Sequence, residues 1–238
     1  MPRFFISESV VSDKIILTDD ENVTHIGKVL RMREGDEVCL CDGKKTDYNC
    51  VIESVSKKEI ILKIVSVEEN TNESLVNITL FQGMPKGSKM DMIIQKCTEL
   101  GVLRIVPFIS KRTVASQKGK AERFQKIALE AAKQSGRGVV PEVCETVDFE
   151  SALEMLCENE LPLLPYEACD GKTLKDALRG TAAKSVGIMI GPEGGFDEEE
   201  IDAAQRKGAV IVTLGKRILR TETAGMSVIS SIIYETEL

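Results

Sequence analysis

The segment SVGIMIGPEGGFDEEEIDAAQRKG, residues 185–208, joins an apolar run, a glycine-rich loop and a polar amphipathic stretch. The run 186–190 predicts a buried strand. Asp197 followed three positions later by Glu200 predicts a helix that begins with a capping box. We therefore expect the loop 191–195 at the carboxyl end of a parallel strand, which is where open α/β sheets bind ligands.

A second segment has the same organisation nearer the C-terminus. The run 209–214 predicts a strand, and a helix is expected near 223–234, with GKRILRTETAG, residues 215–225, leading into it. Ile218 and Leu219 are too apolar for a plain solvent loop, so we expect them to pack over another group. Two glycine loops that follow strands of one sheet indicate one shared site.

The ligand of these loops is not expected to carry phosphates. Neither a G-x-G-x-x-G sequence nor a G-x-x-x-x-G-K-[ST] sequence occurs in the chain. Glu193 and the acidic helix start would also repel a phosphate. An uncharged or cationic ligand that contacts backbone groups suits the first loop better, and a purely structural tight turn is the alternative.

The rest of the chain divides into two regions. Short β-branched runs, with one helix near 23–31, predict a small β-rich domain over residues 1–70. The polar stretch 68–75 is the expected boundary. Strands then alternate with helices over 71–238, which predicts an α/β domain with a largely parallel sheet and helices on both faces.

Composition excludes several classes of function. The chain has seven cysteines without C-x-x-C spacing and a single histidine, which argues against a metal site. Without a long apolar run or a signal sequence, we expect a cytoplasmic protein with no membrane span. Net charge is −7, yet residues 71–140 hold 12 Lys and Arg against 5 Asp and Glu. This excess indicates either an RNA-binding surface or a solvated helix face.

The motifs IGPEGGFDEEEI and LGKRILRTETAGMSVIS together resemble the RsmE family of ribosomal RNA methyltransferases, of the SPOUT superfamily. MPRFFI and HIGKVLRMREGDEV are similar to the PUA-like RNA-binding β-barrel domain of that family. KGSKMDMIIQKCTELGV and KIALEAAKQSGRGVVPEV are similar to its methyltransferase domain. The resemblance implies a deep trefoil knot and a homodimer. It also implies methyl transfer from S-adenosylmethionine to N3 of one uridine in the decoding region of 16S rRNA, on the assembled 30S subunit.

The cofactor site follows from the two loops and the resemblance together. S-adenosylmethionine is a sulfonium without phosphates, so it matches the expected ligand. Its contacts are predicted from three segments, which contain Leu164, Pro165, Tyr166, Ile190, Gly191, Pro192, Glu193, Gly194, Gly195, Leu214, Gly215, Ile218, Leu219, Arg220, Thr221 and Ala224.

Arg220 and Glu222 are the predicted catalytic residues. Uracil N3 must lose a proton before it can attack a methyl group. Arg220 would stabilise the resulting anion or anchor the uridine, and Glu222 or Glu193 would accept the proton. An ion pair that only holds the loop is the alternative role for these carboxylates.

Basic residues from both domains are predicted to bind RNA. They are Arg3, His25, Lys28, Arg31, Arg33, Lys86, Lys89, Arg112 and Arg137. Helix-surface solvation is the competing explanation for the two lysines at 86 and 89, and a satisfied surface or core histidine is the alternative for His25. Two other functions stay open: a non-catalytic RNA-binding or ribosome-assembly factor, and a SPOUT methyltransferase with a different RNA target.

Overall fold

The computed structural model describes residues 1–7, 13–114, 121–168 and 171–237. Contacts divide the chain into two compact units. The first comprises Met1–Glu73 and Ala132–Val139, and the second comprises Ser74–Ala131 and Val140–Leu238.

A five-stranded sheet forms the first unit. Its order is β1-β3-β4-β5-β2, and only the β1–β3 pair is parallel. Alternating apolar residues of the long strands face one core that contains Phe4, Ile26, Leu40 and Leu62. The strands are β1 Arg3–Phe5, β2 Lys14–Leu17, β3 Glu37–Cys41, β4 Thr46–Val55 and β5 Ile60–Glu69.

The helix expected near 23–31 begins and ends earlier than predicted. Helix α1 spans Asp20–Thr24, because the Asp19 carboxylate accepts a hydrogen bond from the Asn22 amide at 2.7 Å and caps it. A π-helical turn follows over His25–Val29. Arg31 has a φ of 54°, in the left-handed region, so the helix cannot continue to that residue.

The second unit contains a parallel sheet, as predicted. The order is β12-β10-β11-β6-β7-β8, with β9 also paired to β7, and every pair is parallel. The strands are β6 Asn77–Gly83, β7 Arg104–Ile109, β8 Glu142–Val143, β9 Val147–Asp148, β10 Leu161–Pro165, β11 Ser185–Ile190 and β12 Val210–Val212.

The helices that follow these strands are close to those expected. Helix α7 begins at Thr221, two residues before the predicted start, and extends to Glu237. The full set is α2 Lys89–Glu99, α3 Ala121–Ser135, α4 Phe149–Cys157, α5 Leu174–Leu178, α6 Glu198–Arg206 and α7 Thr221–Glu237.

Both faces of the parallel sheet are buried. Successive residues of β6 and β11 alternate between two apolar clusters: Leu80 and Ile188 belong to one, and Phe81 and Met189 to the other. Helices α2 and α7 cover the first cluster, while α4 and α6 cover the second. Burial on both faces explains why these strands read as continuous apolar runs.

Candidate active site

A cavity of about 610 Å³ lies at the carboxyl edge of the parallel sheet. Strands β10, β11 and β12 end next to it, at Pro165, Ile190 and Val212. Both glycine loops and the start of α7 form its walls. Its lining residues are Lys89, Pro165, Tyr166, Glu167, Gly171, Thr173, Ile190, Gly191, Pro192, Glu193, Gly195, Phe196, Thr213, Leu214, Gly215, Lys216, Arg217, Ile218, Leu219, Arg220, Thr221 and Ala224.

The first glycine loop is a closed turn in front of α6. The Gly195 amide donates to the Pro192 carbonyl at 2.9 Å, and the φ of Gly195 is 67°, a conformation that favours glycine. The predicted capping box is confirmed, because Asp197 and Glu200 satisfy each other's backbone amides. The Phe196 ring stacks on Phe108 of β7, with centroids 6.3 Å apart, and anchors the loop to the sheet.

Gly83, the last residue of β6, lets the first glycine loop approach the sheet closely. A Cβ atom at this position would lie 2.6 Å from both the backbone nitrogen and Cδ of Pro192. No larger residue fits without moving the loop backbone. Gly83 was not among the predicted site residues, since one glycine at the end of an apolar strand carries no local signal for its partner.

A buried hydrogen-bond chain joins β6, the first glycine loop and α7. Gln82 is fully buried, and its Nε2 donates to the Thr221 hydroxyl at 2.9 Å and to the Gly83 carbonyl at 3.0 Å. The Thr221 hydroxyl in turn donates to the Gly191 carbonyl at 2.6 Å. A hydroxyl has a single proton to donate, so Gln82 must be the donor to Thr221 and thereby orients it towards Gly191. Gln82 was not predicted as a site residue.

Lys89 holds two carboxylates at the cavity wall. Its Nζ lies 2.9 Å from Glu193 Oε1 and 3.2 Å from Glu222 Oε2. The hydrogen bond from Lys89 to Glu193 raises the pKa of Lys89, more than partial burial lowers it. Burial raises the pKa of Glu193, but hydrogen bonds from Lys89 and from the Lys86 amide outweigh it, so the net pKa of Glu193 is lowered.

Most of the residues predicted to bind the cofactor lie together. Fourteen of the sixteen line the cavity. Leu164 and Gly194 do not: Leu164 is buried in the cluster under α4 and α6, and Gly194 faces Arg112. Ile218 is 84% exposed and lines only the outer part of the cavity, so it does not pack over another group as expected.

Several residues predicted to bind RNA are engaged within the protein. Arg137 is only 2% exposed and binds Glu73 at 2.6 Å, so the prediction that it binds RNA is wrong. Arg3 is largely buried against Asp47, which likewise leaves it unavailable for a phosphate. These two pairings satisfy cations that burial would otherwise penalise.

The other predicted RNA contacts are distributed over both units. Arg112 is exposed, but its Nη2 lies 3.3 Å from Asp197 Oδ2. His25 is half-buried and meets the Phe4 ring edge-on at 5.5 Å. The side chains of four further basic residues are exposed: Lys28, Arg31, Arg33 and Lys86. Lys118 and Lys120, two cations of the basic region, lie outside the described residues.

Two features are absent from the described part of the chain. No helix there is both long and apolar enough to cross a membrane. Within the same residues, no three His, Cys, Asp or Glu side chains are grouped so that they could hold a metal ion.

Comparison with known proteins gives the family. Residues 71–233 match the RNA methyltransferase domain, and residues 17–65 match the RNA methyltransferase PUA domain. A ribosomal RNA small subunit methyltransferase E of Bacillus subtilis is 34% identical over 251 aligned residues, which cover 100% of this chain and 98% of the relative. This chain belongs to the ribosomal RNA small subunit methyltransferase E family. The resemblance stated above is therefore confirmed.

Solved structures of related methyltransferases have the same fold. The Neisseria gonorrhoeae enzyme, bound to S-adenosylmethionine, is 34% identical with a TM-score of 0.85, covering 98% of this chain and 97% of its own. A Legionella pneumophila methyltransferase in complex with the same cofactor is 32% identical with a TM-score of 0.87, covering 98% and 96%. The predicted PUA-like domain followed by a methyltransferase domain is confirmed, while the SPOUT superfamily and the knot stay predictions.

Proposed function

We propose that this methyltransferase binds S-adenosylmethionine in the cavity at the carboxyl edge and methylates N3 of one uridine in the decoding region of 16S rRNA, on the assembled 30S subunit. The observation that carries the proposal is the cavity itself. Both glycine loops and the start of α7 enclose about 610 Å³, in a chain whose relatives have been solved with this cofactor. A volume of that size suits a ligand of drug-like dimensions.

The lining residues fit S-adenosylmethionine. Gly195 lies against Glu167, where a Cβ atom would be 3.0 Å from Oε1, so a side chain would fill the space that the loop leaves open. Glu167 and Glu193 place negative charge on the wall, which suits a sulfonium and not a phosphate. Ile190 and Leu214 supply apolar surface for the adenine and ribose.

S-adenosylmethionine, when bound, supplies an electrophilic methyl group. The protein must then favour the uracil anion, because neutral N3 still carries its proton. Arg220 is exposed at the mouth of the cavity, and no carboxylate of the described residues lies within ion-pair distance of it. It directly precedes α7, whose N-terminus adds partial positive charge. These features support a role for Arg220 in stabilising an anion on the uracil oxygens.

Glu222 is the proposed proton acceptor, and Glu193 is the alternative. Glu193 accepts hydrogen bonds from both Lys89 and the Lys86 amide, which lower its pKa and make it the weaker base. Glu222 has only the Lys89 ammonium within ion-pair distance among the described residues. Fewer donors occupy the oxygens of Glu222, so these oxygens have more capacity to accept a hydrogen bond from N3–H.

Calorimetric titration with S-adenosylmethionine, followed by methyl transfer to 30S subunits and to naked 16S rRNA, tests the proposal. We expect binding at about micromolar affinity and transfer to the subunit. An N3-methyl group blocks base pairing, so reverse transcription would stop next to the modified uridine. Arg220→Ala should lower the single-turnover rate on the order of 100-fold, while Arg206→Ala, at the far end of α6, should not.

Failure to bind the cofactor would favour the non-catalytic RNA-binding factor instead. Transfer to another nucleotide would leave a methyltransferase with a different target. We further propose a domain boundary near residue 70, the trefoil knot, a homodimer and a cytoplasmic location with ribosomes. Native mass spectrometry of the purified protein tests the homodimer.

A further inference from the structure

The rim segment, Lys216–Ile218, lies at the mouth of the cavity, between β12 and α7. All three of its side chains are exposed. In the described part of the chain, no carboxylate lies within ion-pair distance of Lys216 or Arg217. The next exposed cation, Arg220, follows two residues after the segment. The mouth of the cavity thus carries three cations within five residues.

Many of the other described cations of this unit are neutralised by ion pairs. The basic region that the sequence marked as an RNA surface consists largely of ion pairs in the folded protein. These include Lys89–Glu193, Lys96–Glu99, Arg104–Glu142, Lys111–Asp197, Arg112–Asp197 and Arg123–Asp91. The chain has a net charge of −7, but the unneutralised cations of the rim segment make this surface locally positive, so it attracts a polyanion.

Ile218 has a position that core packing does not explain. It is 84% exposed, whereas its neighbour Leu219 packs against the apolar cluster under α2 and α7. An aliphatic side chain between cations suits a nucleic acid, because phosphates and the faces of bases alternate along a strand. Proteins that displace bases insert apolar side chains of this kind next to the displaced base.

The target atom makes such a contact useful. Uracil N3 lies on the Watson–Crick edge, so the base must leave its stack or pair before N3 can enter the cavity. A side chain that occupies the vacated space offsets part of the cost of unstacking. Ile218 stands at the mouth through which the base would enter.

We propose that the rim segment is an RNA-contact segment, in which Lys216 and Arg217 bind phosphates next to the target uridine and Ile218 packs against an adjacent base. This inference rests on the proposed function, since it assumes that RNA presents a uridine to this cavity. None of these three residues was predicted from the sequence to bind RNA. Ile218 was predicted only to contact the cofactor.

The charge contribution is tested by the salt dependence of binding to 30S subunits. Lys216→Gln/Arg217→Gln should reduce the slope of log K against log salt by about 1.5, since each phosphate contact contributes roughly 0.7–0.9. The ratio of the wild-type binding constant to that of this variant should then fall about eightfold between 50 and 200 mM salt. Lys184→Gln/Arg206→Gln removes the same charge from exposed positions at the amino edge of the sheet and should leave the slope unchanged. Equal slopes for the two double variants would overturn the phosphate contacts.

The apolar contact is tested by Ile218→Ser and Ile218→Leu. The serine variant should bind 30S subunits and transfer methyl groups on the order of tenfold less well, and the leucine variant should match wild type. Both should retain wild-type thermal stability and oligomeric mass. The base contact would be overturned by a serine variant with full activity. It would also be overturned if the serine variant lost activity because its oligomer dissociated. If the wild type itself does not bind the cofactor, the proposed function fails instead.

Discussion

Thr221→Val should destabilise the methyltransferase unit by about 2–4 kcal/mol. The substitution keeps the shape of the side chain but removes the hydroxyl that links Gln82 to Gly191. Gln82 is fully buried, so its N–H group loses an acceptor that water cannot replace, which costs about 1–3 kcal/mol. Loss of the 2.6 Å bond to the Gly191 carbonyl adds roughly 1 kcal/mol. Thr223→Val, at an exposed position of the same helix, should change stability by less than about 0.5 kcal/mol.

Urea unfolding followed by far-UV circular dichroism measures these differences. The double variant Gln82→Met/Thr221→Val provides the decisive comparison, because replacing both partners with apolar groups removes the unsatisfied donor. The double variant should therefore lose about 1–2 kcal/mol less free energy of unfolding than the two single variants lose together. Additive costs, within about 0.5 kcal/mol, would show that Gln82 and Thr221 do not act as one unit.

Three other changes test the surroundings of the site. Gly83→Ala should cost about 1–3 kcal/mol in urea unfolding, because its Cβ would lie 2.6 Å from Pro192; an unchanged midpoint would refute the close approach. Lys89→Met should be less stable than wild type near neutral pH. The difference in the free energy of unfolding between the two proteins should become smaller below pH 4.5. The lowered pKa of Glu193 stabilises the fold only above the ordinary value of 4.5, and that contribution is lost as the pH falls; Lys89→Arg should restore it. Burial raises the pKa of Cys97 to about 12, so Ellman's reagent should modify this thiol only after unfolding. Because the thiol ionises more easily in the unfolded chain, the contribution of Cys97 to the free energy of unfolding should decline as the pH rises above about 9. Rapid modification in the native protein would contradict that burial.

The RNA-binding predictions show where a sequence misleads about charge. Lys89 and Arg112 look like free cations in the chain, yet their carboxylate partners are 104 and 85 positions away. Arg137 is held by Glu73, 64 positions away. Charge counted along a chain does not distinguish a paired cation from a free one. Only the fold shows that Lys216 and Arg217 have no carboxylate within ion-pair distance among the described residues.

What the sequence determined by itself is local or periodic. The capping box at Asp197 and the glycine turn before it follow from contacts within a few residues. The parallel sheet follows from the continuous apolar runs that two buried faces require. The family also follows from the sequence, since its motifs are contiguous. Only the tertiary structure decided that Gln82 orients the Thr221 hydroxyl. Its partner Thr221 lies 139 residues further along the chain and in turn donates to the Gly191 carbonyl. A glutamine at the end of an apolar strand is assigned a role only when folding buries it beside Thr221.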